Sequence, residues 1–193
     1  MKISILLAGV GGQGVITAAN ILANAALKEG YNVITSELHG MAQRGGDVKC
    51  AVRIGDVYSP IIPNGTANAI VAFEPLEAFR NLNVISPDGI VLTDINPIYP
   101  PLTMIGIGKY PSLKEIFDEI EKKCKLIKIN ADEVARKVGN ILTKNIVMIG
   151  ALYSLDILPI KKQNIIESIK EILKKHAEIN IKAFEMGMKL NKI

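Results

Sequence analysis

Eleven consecutive residues, Ser36-Glu37-Leu38-His39-Gly40-Met41-Ala42-Gln43-Arg44-Gly45-Gly46, bring together an acid, an imidazole, an amide, a guanidinium and three glycines. Polar side chains beside permissive backbone suit a binding surface better than a core. Arg44, between Gln43 and two glycines, can offer a planar fork to a carboxylate, phosphate or pyrophosphate while backbone N–H groups add donors. It can equally tie down its own loop by bonding carbonyls. His39 is the only histidine of this loop, and His176 lies in a lysine-rich stretch. No motif places a serine or cysteine nucleophile beside it, and neither H-x-x-x-H nor H-E-x-x-H occurs, so no triad and no metal site is read from it. Its plainer role is that of a hydrogen-bonding loop residue.

A second constellation is Gly9-Val10-Gly11-Gly12-Gln13-Gly14, a G-x-G-x-x-G match. Its first glycine allows a tight turn, and the later ones let backbone and ligand approach closely. It follows a short apolar run, Lys2–Ala8, and precedes a helix expected to begin near Gln13 and to bury Val15, Ala18, Ala19, Leu22 and Ala26. Backbone donors and the positive dipole end would favour an anion there; the glycines can also simply pack the helix on the sheet. Read as a dinucleotide site, the chain should hold a ribose with an acid after its second strand, and Glu37, following Tyr31–Thr35, stands near that place. No G-x-x-x-x-G-K-[ST] loop occurs. Glu74 and Glu77, around Pro75, read as acids favouring a helix N-terminus.

These groups need a frame. The pattern predicts a three-layer α/β/α domain spanning 1–193, Rossmann-like at its start, with a mixed, mostly parallel sheet. Strands are expected at Asp47–Ile54 and Val57–Ser59, joined as a hairpin by Gly55-Asp56, then at Ala69–Phe73, at Gly89–Asp94 after a Pro87-Asp88-Gly89 turn, and at Leu126–Ile129. The proline-rich stretch 95–111 has room for one short strand, Thr103–Ile107. Helices are expected at Leu113–Ile120, after Asn130 or Asp132, from Leu142 to Ser154, and near the end, where Ile165, Ile166, Ile169, Leu173, Ala177, Ile181, Phe184 and Met188 should dock a terminal helix on the sheet or extend to a partner subunit.

At 193 residues the chain fits one domain, and 49% hydrophobic against 22% charged residues argues against disorder. No apolar run reaches the ~18–20 residues of a membrane span, and the start lacks a signal-peptide pattern, so a cytoplasmic protein is expected. The net charge of +4 comes from scattered lysines with few aromatics, which does not make a nucleic-acid platform. Cys50 and Cys124, the only two cysteines, read as buried or incidental thiols.

The glycine turn, the Ser-Glu-x-His-Gly-Met-x-Gln-Arg-Gly-Gly loop and Phe73-Glu74-Pro75-Leu76-Glu77-Ala78-x-Arg80 together resemble the beta subunit of indolepyruvate ferredoxin oxidoreductase, of the 2-oxoacid:ferredoxin oxidoreductase gamma-subunit family. The resemblance extends through Gly139-Asn140, Asn145, Gly150-Ala151, Leu158-Pro159 and Asn180-x-x-Ala183-Phe184-x-x-Gly187. It implies a small subunit, inactive alone, of an enzyme that oxidatively decarboxylates aryl 2-oxoacids with coenzyme A and ferredoxin. The large alpha subunit of that scheme carries thiamine diphosphate and Fe–S clusters, and ferredoxin is reached through the complex. The chain itself has neither the thiamine pattern Gly-Asp-Gly…Asn-Asn nor cysteines enough for a cluster. Glu37, His39, Gln43, Arg44, Gly45 and Gly46 would complete the substrate or coenzyme A site or face the large subunit, and Gly9, Gly11, Gly12, Gln13 and Gly14 would offer an anion or cofactor turn. A gamma-type subunit for pyruvate, 2-oxoglutarate or branched-chain oxoacids, and a free-standing NAD(P)-binding protein, are the alternatives.

Overall fold

The strand Lys2–Val10 (β1) is buried from Ser4 onward, as a strand covered on both faces must be, and the rest of the sheet is arranged around it. A computed structural model describes residues 1–40, 45–100, 103 and 105–190. With β2 (Val33–His39), β3 (Asp47–Gly55), β4 (Ala67–Ala72), β5 (Ile85–Asp94) and β6 (Lys125–Ile129), β1 forms a six-stranded sheet in the order β2-β3-β1-β4-β5-β6. β3 runs antiparallel to both β1 and β2, and the pairs β1–β4, β4–β5 and β5–β6 are parallel. The helices are α1 (Val15–Lys28), α2 (Pro75–Arg80), α3 (Leu113–Glu121), α4 (Ala131–Val138), α5 (Lys144–Tyr153), α6 (Lys162–Leu173) and α7 (Ala177–Gly187).

Strand alternation divides the core between the two faces. Ile5, Leu7, Val52, Val71 and Leu92 join α1 and α5 in one cluster. Leu6, Ala51, Ile70, Ala72 and Val91 join Leu76 of α2 and Ile116 and Ile120 of α3 in the other. The three-layer arrangement and the mixed sheet are those expected.

The source of the mixing differs from expectation. Gly55-Asp56 does not make a hairpin and Val57–Ser59 is not a strand. β3 already has β1 on one side and β2 on the other, so neither of its edges is open to a third strand. Gly55 (φ 94°) turns the chain instead, and the Asp56 carboxylate meets the N-terminal ammonium at 2.9 Å. β2 also begins later and runs further than its apolar run implies. Ser36 to His39 stay extended because Ala51 to Val48 of β3 pair with them.

Two other departures have local causes. Pro87-Asp88-Gly89 lies inside β5, where pairing with β4 jumps from Ala67↔Ile85 to Ala69↔Ile90. The turn-forming residues are absorbed as an irregularity rather than ending the strand. Among the described residues of 95–111 there is no strand, and Thr103 is helical; Pro101, Leu102 and Met104 of that stretch lie outside the description.

The C-terminal helices pack on helices rather than on the sheet. α6 lies on α1, where Glu171 accepts hydrogen bonds from Asn24 at 2.9 Å and Lys28 at 2.7 Å. α7 lies on α5, which is buried on all sides from Asn145 to Leu152 and must therefore have a second cover. Two glycines set that contact. A Cβ on Gly150 would stand 2.1 Å from the Phe184 carbonyl oxygen, and one on Gly187 2.1 Å from that of Val147, so the two backbones touch. Of the two caps offered for α4, Asn130 and not Asp132 is the one used, and Ser112 and Glu115 form a capping box on α3 that was not among the expected caps.

Candidate functional site

The sharp turn after β1 is built by Gly12 (φ 102°) and Gly14 (φ 76°), and Gly14 leads into α1 as its left-handed cap. At Gly14 the room is limited as well, because a Cβ there would come within 2.5 Å of Asn145 Nδ2. The polar loop returns to this turn. The Gly11 N–H donates to the Gly46 carbonyl at 2.8 Å, and the Gly45 N–H reaches the Gly11 carbonyl at 3.4 Å. The glycine turn and the Gly45-Gly46 pair therefore share one rim at the C-terminal end of β1, although Gly45 follows Gly14 by 31 positions.

Gln13 is engaged inside the protein. Its Oε1 accepts the Val10 N–H and its Nε2 donates to the Phe73 carbonyl, each at 2.7 Å. α1 leaves β1 toward one face and α2 leaves β4 toward the other, so the gap between these strand ends is the topological switch point where open α/β sheets bind ligands. Here the Gln13 carboxamide bridges it. Glu37 is displaced too. β3 intervenes between β1 and β2, which puts Glu37 on an exposed edge strand opposite Cys50, two strands and so ~9–10 Å from β1. An acid there is not placed to hold the ribose of a dinucleotide on the glycine turn.

His39 ends β2 and is exposed, with Nδ1 3.3 Å from the Gly40 carbonyl oxygen. With Gly11, Gly12, Gly14 and Thr17 it lines an open cleft of about 490 Å³. A neighbouring cleft, also about 490 Å³, lies on the other side of the turn and is lined by Thr17, Asp132, Lys144, Asn145, His176 and Asn180. Gln43 and Arg44 lie outside the described residues. Among those described, the N–H groups of Gly12 and Gly14 donate to no protein acceptor, which leaves them for a ligand or water.

Two charged clusters flank the turn, and neither was legible as a cluster. Asp94, fully buried at the end of β5, accepts from the Ala131 N–H and from Asn96, each at 3.0 Å. Lys144 sits between Asp94 and Asp132, 2.7 Å from the latter. Burial lifts the Asp94 carboxyl above the usual carboxylate range against the opposing pull of Lys144.

On the opposite side, Glu74 and Glu77 are 1% and 3% exposed. Glu74 caps α2 by accepting the Glu77 N–H at 3.0 Å, as its place before Pro75 predicts. Its other oxygen accepts from the Ile98 N–H at 3.2 Å and the Tyr110 hydroxyl at 2.5 Å. Glu77 Oε1 accepts from Arg80 at 2.7 Å, and Glu77 Oε2 is buried with no partner among the described residues. Burial raises the Glu77 carboxyl, Arg80 opposes, and Glu74 and Asp47 add to the rise.

Neither cysteine is placed for thiolate chemistry. Burial, then the charge of Glu37, pushes the Cys50 thiol up to about 12, and burial also raises Cys124. Among the described residues no group of three or more metal-ligating side chains comes together, and no helix is long and apolar enough to cross a membrane.

Residues 4–190 match the protein family described as pyruvate ferredoxin/flavodoxin oxidoreductase. The indolepyruvate oxidoreductase subunit IorB of Archaeoglobus fulgidus is 42% identical over 189 residues, covering 97% of this chain and 94% of that protein. The subunit of the same name from Pyrococcus horikoshii is 42% identical over 193 residues, covering 98% and 96%. Among solved structures, the gamma subunit of a keto/oxoacid ferredoxin oxidoreductase from Geobacter sulfurreducens superposes with a TM-score of 0.71 at 24% identity, over 97% of this chain and 96% of that one.

Proposed function

The chain belongs to the pyruvate ferredoxin/flavodoxin oxidoreductase family, and from that premise we propose that it is the small subunit of an indolepyruvate oxidoreductase, acting in the cytoplasm as one gamma-type domain over 1–193. The observation that carries this reading is 42% identity to indolepyruvate oxidoreductase subunits along nearly the whole of both chains. Its relation to the shared gamma subunits of pyruvate and ketoisovalerate oxidoreductases is more distant, at 29%.

The reaction would convert an aryl 2-oxoacid, coenzyme A and oxidised ferredoxin to the arylacetyl-CoA, carbon dioxide and reduced ferredoxin. Thiamine diphosphate, where bound, would supply the electron sink that decarboxylation needs, and Fe–S clusters would supply one-electron transfer. Two cysteines, one fully buried and neither part of a metal-ligating group, do not fit cluster ligation in this chain, so a large partner subunit would hold both cofactors.

This chain would supply a rim. Gly45 and Gly46 are tied to Gly11 beside the open glycine turn. The N–H groups of Gly12 and Gly14 would donate to an anionic oxygen of substrate or coenzyme A. Arg44 would bind a carboxylate or a coenzyme A phosphate, Gln43 and His39 would orient neighbouring groups, and Glu37, on the exposed edge, would face the large subunit. Gln13 keeps a positioning role, holding the turn against β4.

The test is kinetic. In the assembled enzyme Arg44→Ala should raise KM for indolepyruvate or coenzyme A by tenfold or more while the subunit remains folded and associated. Unchanged kinetics in a fully assembled Arg44→Ala enzyme would remove that role, and NAD binding by the isolated chain would favour the dinucleotide alternative.

A further inference from the structure

Glu77 Oε2 is a buried carboxylate oxygen with no hydrogen-bond partner among the described residues, and such a group is costly unless something satisfies it. It borders a cavity of about 240 Å³ that is also lined by Gly45, Asp47, Glu74, Arg80 and Tyr99. The size is below the ~300–1,000 Å³ typical of sites for whole small-molecule ligands. The charge is one-sided. Among the described residues three carboxylates border the cavity against one guanidinium, that of Arg80, which is already paired with the other oxygen of Glu77. Glu74 is saturated by two N–H groups and the Tyr110 hydroxyl, so the unmet demand for a donor falls on Glu77. Gly45 ties the cavity to the rim that holds the glycine turn.

We infer that Glu77 Oε2 is the receptor for a lysine or arginine side chain of the large subunit, inserted into this cavity when the two chains assemble. The inference rests on the subunit reading above. It gives the orphaned oxygen a purpose: an unsatisfied carboxylate in the free chain becomes a buried, charge-assisted pair in the complex. The free subunit is thereby left less stable than its fold allows, a common cost of a binding site.

The experiment compares wild type with Glu77→Gln, which keeps shape and removes charge. With purified large subunit, Glu77→Gln should weaken association by ~30-fold or more, mainly through faster dissociation, while the isolated variant melts at the same or a higher temperature. Equal affinities of wild type and variant would overturn the inference and leave the subunit reading intact, whereas failure of the wild type to associate would overturn both. A variant that melts lower, or a double-mutant cycle in the isolated chain that couples Glu77 to Arg44, would assign the oxygen to this chain's own fold and also overturn it. If Glu77→Gln does not fold, the structure of the wild-type complex decides. A partner lysine or arginine nitrogen within hydrogen-bond reach of Glu77 Oε2 supports the inference, and any other occupant refutes it.

Discussion

Gln13 Nε2 donates to the Phe73 carbonyl at 2.7 Å and so fastens the turn after β1 to the end of β4, across the gap where a nucleotide would otherwise enter. Because Gln13 Oε1 also holds the Val10 N–H at 2.7 Å, Gln13→Ala would leave a donor and an acceptor unpaired in a part-buried place. A loss of ~1–3 kcal/mol is expected, read as a lower denaturant midpoint with unchanged slope. Unchanged stability would mean that the side chain is not the tie described.

The α5–α7 contact gives a prediction of sign. In a helix interior Gly→Ala ordinarily stabilises by ~0.5–1 kcal/mol. At Gly150 and Gly187 the added Cβ would meet a carbonyl oxygen at 2.1 Å, so each substitution should instead destabilise by ~1–3 kcal/mol. Gly30→Ala is a control in which the added carbon has nothing within 4 Å and only the backbone φ of 87° opposes the alanine. Thermal melts of the three variants check this, and a stabilised Gly150→Ala would mean that the helices stand further apart.

Glu77 predicts a pH dependence. It faces Arg80, which favours its charge, and Glu74 and Asp47, which oppose it; burial dominates and raises its pKa above 4.5. A carboxyl raised by folding makes the native state hold more protons than the unfolded one. Its contribution to stability is therefore lost as pH climbs from the ordinary glutamate value through the raised one. In Glu77→Gln that part of the slope should vanish, so the variant gains on wild type with rising pH above 4.5. Parallel stability–pH curves from chemical denaturation would contradict the assignment.

Cys50 is fully buried and its thiol is pushed up to about 12, so native protein at pH 8 should resist alkylation there and react only after unfolding. Mass mapping of labelled peptides distinguishes Cys50 from half-buried Cys124. Rapid native labelling of Cys50 would show that the β2–β3 edge opens.

The frame of the site was legible because it rests on local patterns. The apolar run before Gly9, the stripe of α1 and the acid before Pro75 each name a strand end, a buried face or a cap. Partner choice was not legible. Whether β3 sits beside β1, or Val57–Ser59 finds a strand, depends on which edge is free, and that is a property of the whole sheet. For the same reason Glu37 looked like a ribose acid until β3 separated β2 from β1. Asp94 meets the starts of α4 and α5, and Glu77 the neighbourhood of Asp47 and Tyr99, all brought from elsewhere in the chain. Asp94 at the end of an apolar strand was the one visible hint, since an acid there needs a cation or a cap, which Lys144 and the start of α4 supply.

On the reading proposed above, this chain works only within a 2-oxoacid oxidoreductase whose substrate is indolepyruvate. The direct measurement is anaerobic affinity purification of the tagged chain from its native cells, assayed for coenzyme A-dependent acceptor reduction with indolepyruvate, pyruvate, 2-oxoglutarate and a branched-chain oxoacid. A co-purifying large subunit bearing thiamine diphosphate and Fe–S clusters is expected, with indolepyruvate the best substrate. A partner-free, inactive chain that binds NAD tightly would contradict the subunit reading, and a clear preference for another oxoacid would contradict the substrate.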